Sequence, residues 1–212
     1  MNPDLLADSS ALKRYYRFHS RIYDLTRWSF LFGRNAMIDR LAQTATPRTI
    51  LEVGCGTGKN LSLLAKRFRA ATLTGVDLST DMLDIATEKL SGYQKRIELL
   101  EQRYDAPLCN DLGNTQQYDL VLFSYALSMF NPGWELALAA AEQQLSENGR
   151  IAVVDFHYSR LKSFRHWMQF NHVVMEQQLL PALNAMLTAE VRETRAAYAG
   201  LWQYFLFIGK KK

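Results

Sequence analysis

A short apolar run leads into a glycine cluster and out into an amphipathic segment, and this junction constrains the fold more than any other stretch. Residues 49–53 read Thr-Ile-Leu-Glu-Val, a β-run, and are followed by Gly54-Cys55-Gly56-Thr57-Gly58. Residues 59–68 then place Leu61, Leu64, Ala65 and Phe68 on one helical face. Strand, glycine turn and helix form the repeating unit of an open α/β sheet, and the turn lies at the end where such sheets bind ligands. The alternation continues. Residues 72–77 read as a second strand, and Ser79 caps a helix that runs to about residue 90 with Met82, Leu83, Ile85 and Ala86 apolar. Residues 97–101 give a third strand, and residues 119–124 a fourth, nearly all apolar as a strand covered on both faces must be. Asn131-Pro132 predicts the cap and first turn of a helix reaching Leu145, stopped by Asn148-Gly149, and residues 151–156 give a fifth strand. Strands alternating with helices require right-handed crossovers and a parallel sheet between two helical layers.

After residue 157 the pattern changes. Residues 160–187 read as one long helical stretch interrupted at Pro181, and two β-runs follow at 191–198 and 201–208. The gap between them, Ala199-Gly200, suits an antiparallel pair. A chain of 212 residues with 48% hydrophobic side chains needs no staples to hold one core. Two cysteines, Cys55 and Cys109, exclude a disulfide framework. No apolar run approaches the ~20 residues that span a bilayer. The first ten residues carry Asp4 and Asp8 and no basic region, so a secretory signal is not expected and the expected location is the cytoplasm. His19, His157, His166 and His172 are scattered, so no metal site is expected. Charge is uneven: residues 1–35 have a surplus of three positive charges, 36–149 a deficit of four and 150–212 a surplus of five. Basic ends of this kind suit an anionic surface.

The glycine turn fails both phosphate-binding patterns. A Walker loop needs a glycine at 53 and a hydroxyl residue at 60, where Val53 and Asn60 stand. The dinucleotide pattern needs its third glycine one residue later than Gly58, and Lys59 is there. What remains is a nucleoside without a phosphate. Glu52, in the strand before the turn, would repel a pyrophosphate and suits a cation. Asp77, 25 residues on, stands where a carboxylate accepts both ribose hydroxyls. Asp105-Ala106, beyond the third strand, stands to meet an adenine edge.

Together these features resemble the class I S-adenosylmethionine-dependent methyltransferases. Residues 52–58 match the first motif of that superfamily. Gly75-Val76-Asp77-Leu78-Ser79 with Met82, Leu83 and Ala86 matches the second, and Tyr118-Asp119-Leu120-Val121 and Leu145-Ser146-Glu147-Asn148-Gly149-Arg150 match later ones. The resemblance covers roughly residues 48–156. It implies a three-layer Rossmann-like fold with a seven-stranded, mostly parallel sheet and an antiparallel strand near the C-terminus. It implies S-adenosylmethionine as donor, S-adenosylhomocysteine as product and no metal. The implied donor-binding residues are Glu52, Gly54, Cys55, Gly56, Gly58, Asp77, Leu78, Met82, Asp105, Ala106 and Ser124. The chain divides on this reading into an N-terminal helical cap (1–40), a cofactor-binding core (48–156), a helical lid (157–188) and a C-terminal strand pair (189–212).

The acceptor is sought outside the core. Asn131-Pro132-Gly133-Trp134 only partly matches the Asn/Asp-Pro-Pro-aromatic signature of base and glutamine methylation, and no carboxylate cluster follows the fourth strand as catechol methylation requires. Residues 21–34 are similar to the start of the bacterial diacylglyceryl-homoserine N-methyltransferases of betaine-lipid synthesis, with Asp155-Phe156-His157 compatible. That resemblance implies successive methyl transfers onto a lipid amine. Phosphatidylethanolamine and a quinone precursor methylated at carbon stay open as acceptors. Aromatic faces stabilise the charge that grows on such an amine. Tyr23 and Tyr125 are the candidates for that role, His157 is the candidate proton acceptor, and Asp24 is a further candidate for holding the ammonium. Cations and aromatics interleave in residues 11–34 and again in Arg160, Lys162, Arg165, His166, Trp167 and Phe170. Such segments lie on anionic membranes without crossing them, so the expected partner is a lipid amine at the inner face of a membrane. A rival, a nucleoside-binding module gripping RNA with its basic ends, lacks any recognisable RNA motif, so no nucleic-acid partner is expected.

Overall fold

The computed structural model describes residues 31–170 and 173–212. Readings that fall on Tyr23, Asp24 and the rest of residues 1–30 lie outside the described residues, and only the end of the expected N-terminal cap is seen. In chain order the elements are α1 (Arg34–Thr44), β1 (Thr49–Val53), α2 (Lys59–Arg67), β2 (Thr72–Asp77), α3 (Thr80–Lys89), β3 (Ile97–Glu101), β4 (Tyr118–Ser124), α4 (Trp134–Gln143), β5 (Leu145–Tyr158), α5 (Lys162–Phe170), α6 (Leu179–Met186), β6 (Leu187–Ala197) and β7 (Trp202–Lys211).

The strands form one seven-stranded sheet in the order β3-β2-β1-β4-β5-β7-β6. The first five pair in parallel, and β7 pairs antiparallel with both β5 and β6. This is the architecture that the resemblance implied.

Strand periodicity sorts the core into two layers. Ile50, Leu120, Leu122, Ala152, Val154, Leu206 and Ile208 pack with α1, α2, α3 and α5 on one face. Their neighbours Leu51, Val121, Phe123, Ile151, Val153, Phe205 and Phe207 pack with α4 and α6 on the other. Each fully buried side chain of this size contributes about 1.5–3 kcal/mol. The four apolar residues foreseen on α2 (Leu61, Leu64, Ala65 and Phe68) all lie in the first layer. Ser79 caps α3 as expected, its hydroxyl accepting from Met82 N at 3.3 Å.

Three local expectations are corrected. Asn131 does not cap α4: its amide donates to Ser128 O at 2.9 Å, and Gly133 precedes the helix instead. The same helix stops at Gln143, short of Leu145. Fully buried Gln144 is drawn into a polar knot, accepting from the Tyr104 hydroxyl at 2.8 Å and donating to Leu108 O and Gln116 O. The chain then enters β5 at Leu145, paired with Tyr118, and Asn148-Gly149 lies inside that strand, where a register shift absorbs the extra residues.

Pro181 does not interrupt a helix. It is the third residue of α6, where its missing N–H has no intrahelical acceptor to lose. The stretch 160–187 is two helices on opposite faces of the sheet, α5 entering one layer through Met168 and α6 the other through Leu183. Among the described residues no helix is long and apolar enough to cross a membrane.

Candidate active site

A cleft of about 460 Å³ opens where β1, β2 and β4 end. β1 and β4 flank the point where the strand order reverses, and the diverging loops there leave a crevice. The glycine turn forms its floor. Gly54 N and Cys55 N both donate to Val76 O, at 2.8 and 3.0 Å, tying the turn to the neighbouring strand. Gly54 has φ +71°, and a Cβ there would stand 2.8 Å from the Cβ of Ala126. A side chain at 54 is excluded both by backbone conformation and by the close approach of the segment after β4.

The Asp77 carboxylate organises the same turn. One oxygen accepts from Gly56 N at 2.8 Å and the other from Ser79 N at 3.0 Å. A carboxylate oxygen takes more than one bond, so both retain accepting capacity toward the cleft they line.

Glu52 lies in the wall and is 1% exposed. Its Oε1 accepts from Asn60 Nδ2 at 2.7 Å, and its Oε2 has no partner. Burial pushes its carboxyl up to about 7, moderated by the Asn60 bond and by the positive charge of Arg34. Asn60 Oδ1 and Ser124 Oγ, on the same wall, are likewise buried and unpartnered. Buried polar atoms without partners cost free energy unless something fills them. Three such atoms around one cleft fit a ligand tail bearing hydrogen-bond donors, and Asp77 fits a sugar diol. The residues present therefore suit S-adenosylmethionine. Burial pushes the Cys55 thiol far up, with Glu52 and Asp77 adding to it, so it stays protonated. Among the described residues no His, Cys, Asp and Glu cluster could hold a metal ion.

The other half of the cleft is apolar and aromatic. Leu31, Tyr125, Met129 and Phe130 line it. Tyr125 has φ +57°, uncommon for a residue with a bulky side chain, and its hydroxyl donates to Phe32 O at 2.7 Å. Its ring meets Phe156 edge-on at 4.7 Å between centroids. Burial, with Asp155 adding to it, holds the phenol well above its ordinary value, so it stays protonated. Asp155 is wholly buried behind this wall. It accepts from Ser128 N at 3.1 Å and Phe156 N at 2.8 Å, fixing the short turn Leu127–Met129 that leads into Phe130.

The cleft brings together Glu52, Gly54, Cys55, Gly56, Asp77, Leu78, Met82, Asp105, Ser124 and Tyr125. Three residues named from the sequence do not line it. Gly58 precedes α2 with φ +70°, and a Cβ there would meet Leu90 at 2.8 Å and Ala86 at 3.1 Å, so it admits α3 to the turn. Ala106 is exposed beyond the lining segment, while Asp105 lies at the mouth and pairs with Arg103 at 2.9 Å. His157 lies beyond the end of the cleft wall, its ring 6.0 Å from Phe205. Burial and the charge of Arg192 push its imidazole down. Sequence reasoning missed Asn60, Leu31, Met129 and Phe130 as lining residues. Asn60 had a signal, a polar residue on the otherwise apolar face of α2. The other three read as ordinary apolar residues.

Residues 50–149 match the family described as Methyltransferase domain. The chain is 30% identical over 131 residues to the malonyl-[acyl-carrier protein] O-methyltransferase of Priestia megaterium, a match covering 59% of this chain and 44% of that protein. It is 30% identical over 178 residues to the biotin biosynthesis bifunctional protein BioCD of Bordetella avium, covering 83% of this chain and 36% of that one. The chain thus spans less than half the length of these relatives. Among solved structures, the N-methyltransferase NodS of Bradyrhizobium japonicum, bound to S-adenosylhomocysteine, superposes with a TM-score of 0.68 at 13% identity, over 84% of this chain and 85% of that one. The 1,6-didemethyltoxoflavin-N1-methyltransferase of Burkholderia thailandensis superposes with a TM-score of 0.69 at 15% identity, over 100% and 91%. Identities this low speak for the fold alone.

Proposed function

We propose that this chain, whose residues 50–149 match a methyltransferase domain, is an S-adenosylmethionine-dependent enzyme that methylates the amine of a lipid head group. The diacylglyceryl-homoserine of betaine-lipid synthesis is the acceptor the sequence favours. The observation that carries the amine reading is the division of the cleft. Its donor half holds the unpartnered polar atoms and Asp77, and its acceptor half is walled by Leu31, Tyr125, Met129 and Phe130.

When bound, S-adenosylmethionine supplies a methyl group activated by a sulfonium. The chain's own residues bind and orient. Asp77 accepts hydroxyl hydrogens, Glu52 faces a cationic tail, and the glycine turn leaves room for both. In the transfer the amine lone pair forms the new N–C bond as the C–S bond breaks, and an amine proton leaves to solvent. The work is therefore alignment at near-attack distance. Tyr125 and Phe130 add aromatic faces for the growing cation, each about 0.5–2 kcal/mol. The protonated phenol of Tyr125 is not a base, and His157 does not line the cleft.

A peripheral position on an anionic membrane is part of the proposal. On α5 and just before it, Leu161, Trp167 and Phe170 are 51%, 51% and 83% exposed, beside Arg160, Lys162 and His166. Large exposed apolar side chains among cations suit the boundary between head groups and acyl chains.

A second reading, methyl transfer to a carboxylate, is favoured by one observation. Arg34 lines the cleft, where its charge suits an anionic acceptor, and the Priestia relative is a malonyl-[acyl-carrier protein] O-methyltransferase. Purified protein incubated with labelled S-adenosylmethionine and three acceptors separates the readings. Vesicles of diacylglyceryl-homoserine should gain label, and phosphatidylethanolamine and a malonyl thioester should not. Label on the malonyl thioester alone would overturn the amine reading.

A further inference from the structure

We infer that Asn60 is a positioning residue for donor binding: from the first turn of α2 it holds Glu52 by one carboxylate oxygen, leaving the other to receive the donor's ammonium group. The inference rests on the donor reading of this half of the cleft. Asn60 is 4% exposed and Glu52 1%, and their contact is 2.7 Å from Nδ2 to Oε1. An asparagine is a poor choice for the buried face of a helix. Were it there for stability, its amide would be fully satisfied. Instead Oδ1 has no partner, nor has Glu52 Oε2 beside it. With Glu52 ionised both atoms are acceptors, so the missing group is a donor of hydrogen bonds. An ammonium meets that description, with three donors and a positive charge.

The surroundings leave the task to Asn60. In the sheet Glu52 stands between Gly75 of β2 and Leu122 of β4, neither of which offers a side-chain donor. The charged or titratable groups facing it are Arg34 from α1, Asp77 from the end of β2 and Cys55 in the turn. Arg34 and Asp77 act in opposite senses. The amide of Asn60 is the side-chain donor to the carboxylate, with the backbone N–H of Leu61 adding to it. A bond to the charged form of an acid favours that form. Asn60 thus sets both the direction of Glu52 and its readiness to carry charge.

The test is calorimetric titration of the full chain with S-adenosylhomocysteine between pH 5.5 and 8.5, for wild type, Asn60→Leu, Glu52→Gln and the double variant. Wild-type affinity should rise with pH through about 7, as Glu52 ionises, and then level off. In Asn60→Leu the rise should come about one pH unit higher, so that binding at pH 7 is several-fold weaker while the high-pH plateau is partly recovered. Glu52→Gln should bind weakly with no break in this range, and the double variant should match it. An Asn60→Leu profile with the wild-type midpoint, or a double variant with a break of its own, overturns the inference. If wild type itself fails to bind S-adenosylhomocysteine at every pH, it is the donor reading that falls. Should Asn60→Leu not fold, Asn60→Ser, too short to reach Glu52, carries the same expectation.

Discussion

Replacing Asp77 by alanine separates the two roles its carboxylate has, one in the turn and one toward the ligand. In the free protein it accepts from Gly56 N and Ser79 N. Both contacts are only partly buried, so water replaces much of what is lost. The folding cost is then about 1–2 kcal/mol, which for a chain of this size lowers Tm by roughly 2–8 °C. Toward the donor the loss is larger. Two ribose hydroxyls would each donate to a charged acceptor, and such bonds contribute about 1.5–3 kcal/mol each. Losing both weakens binding by about 3–6 kcal/mol, or at least 100-fold. Asp77→Asn retains one carbonyl acceptor and should fall between, at about tenfold. Calorimetry with S-adenosylhomocysteine, with thermal melts run beside it, measures both effects. A folded Asp77→Ala protein that binds within threefold of wild type would refute the ribose role.

Tyr125→Phe keeps the ring and removes the donor to Phe32 O, so Tm should fall by about 2–4 °C while turnover stays within threefold; Tyr125→Ala should slow methyl transfer at least tenfold, and equal turnover in the two would remove the aromatic face from the site. Glu52 has a folded value near 7 against an ordinary 4.5. The folded state therefore holds its proton longer than the unfolded state, and this group's contribution to stability declines as pH rises from about 4.5 to 7. Glu52→Gln should accordingly raise Tm more at pH 8 than at pH 5, and a gain independent of pH would contradict the buried acid. The double change Trp167→Ser and Phe170→Ser should reduce sedimentation with phosphatidylglycerol vesicles at least fivefold, a loss of about 1 kcal/mol or more, without altering the melt; undiminished binding would take α5 off the membrane.

Much of the architecture was legible in the chain because it rests on short-range rules. Short apolar runs bounded by turn residues assigned the strands, and parallel connection followed from the helices between them. The glycine turn was legible because Gly54 and Gly58 occupy left-handed backbone that other residues avoid. Asp77 was legible because it follows a strand at the end where loops diverge. Local rules failed where a residue's partner is distant in sequence. Gln144 at the end of α4 is held by Tyr104, Leu108 and Gln116, which precede β4 in the chain. The stretch 160–187 read as one helix interrupted at Pro181, and only packing revealed that its two helices lie on opposite sheet faces. Asn60 read as one polar residue on α2 until the fold set it 2.7 Å from Glu52. Sequence determined which segments are strand, turn and helix, since those depend on neighbours a few residues away. Tertiary structure decided which buried polar atoms lack partners and which side chains share a cleft, since both depend on what the rest of the chain brings alongside.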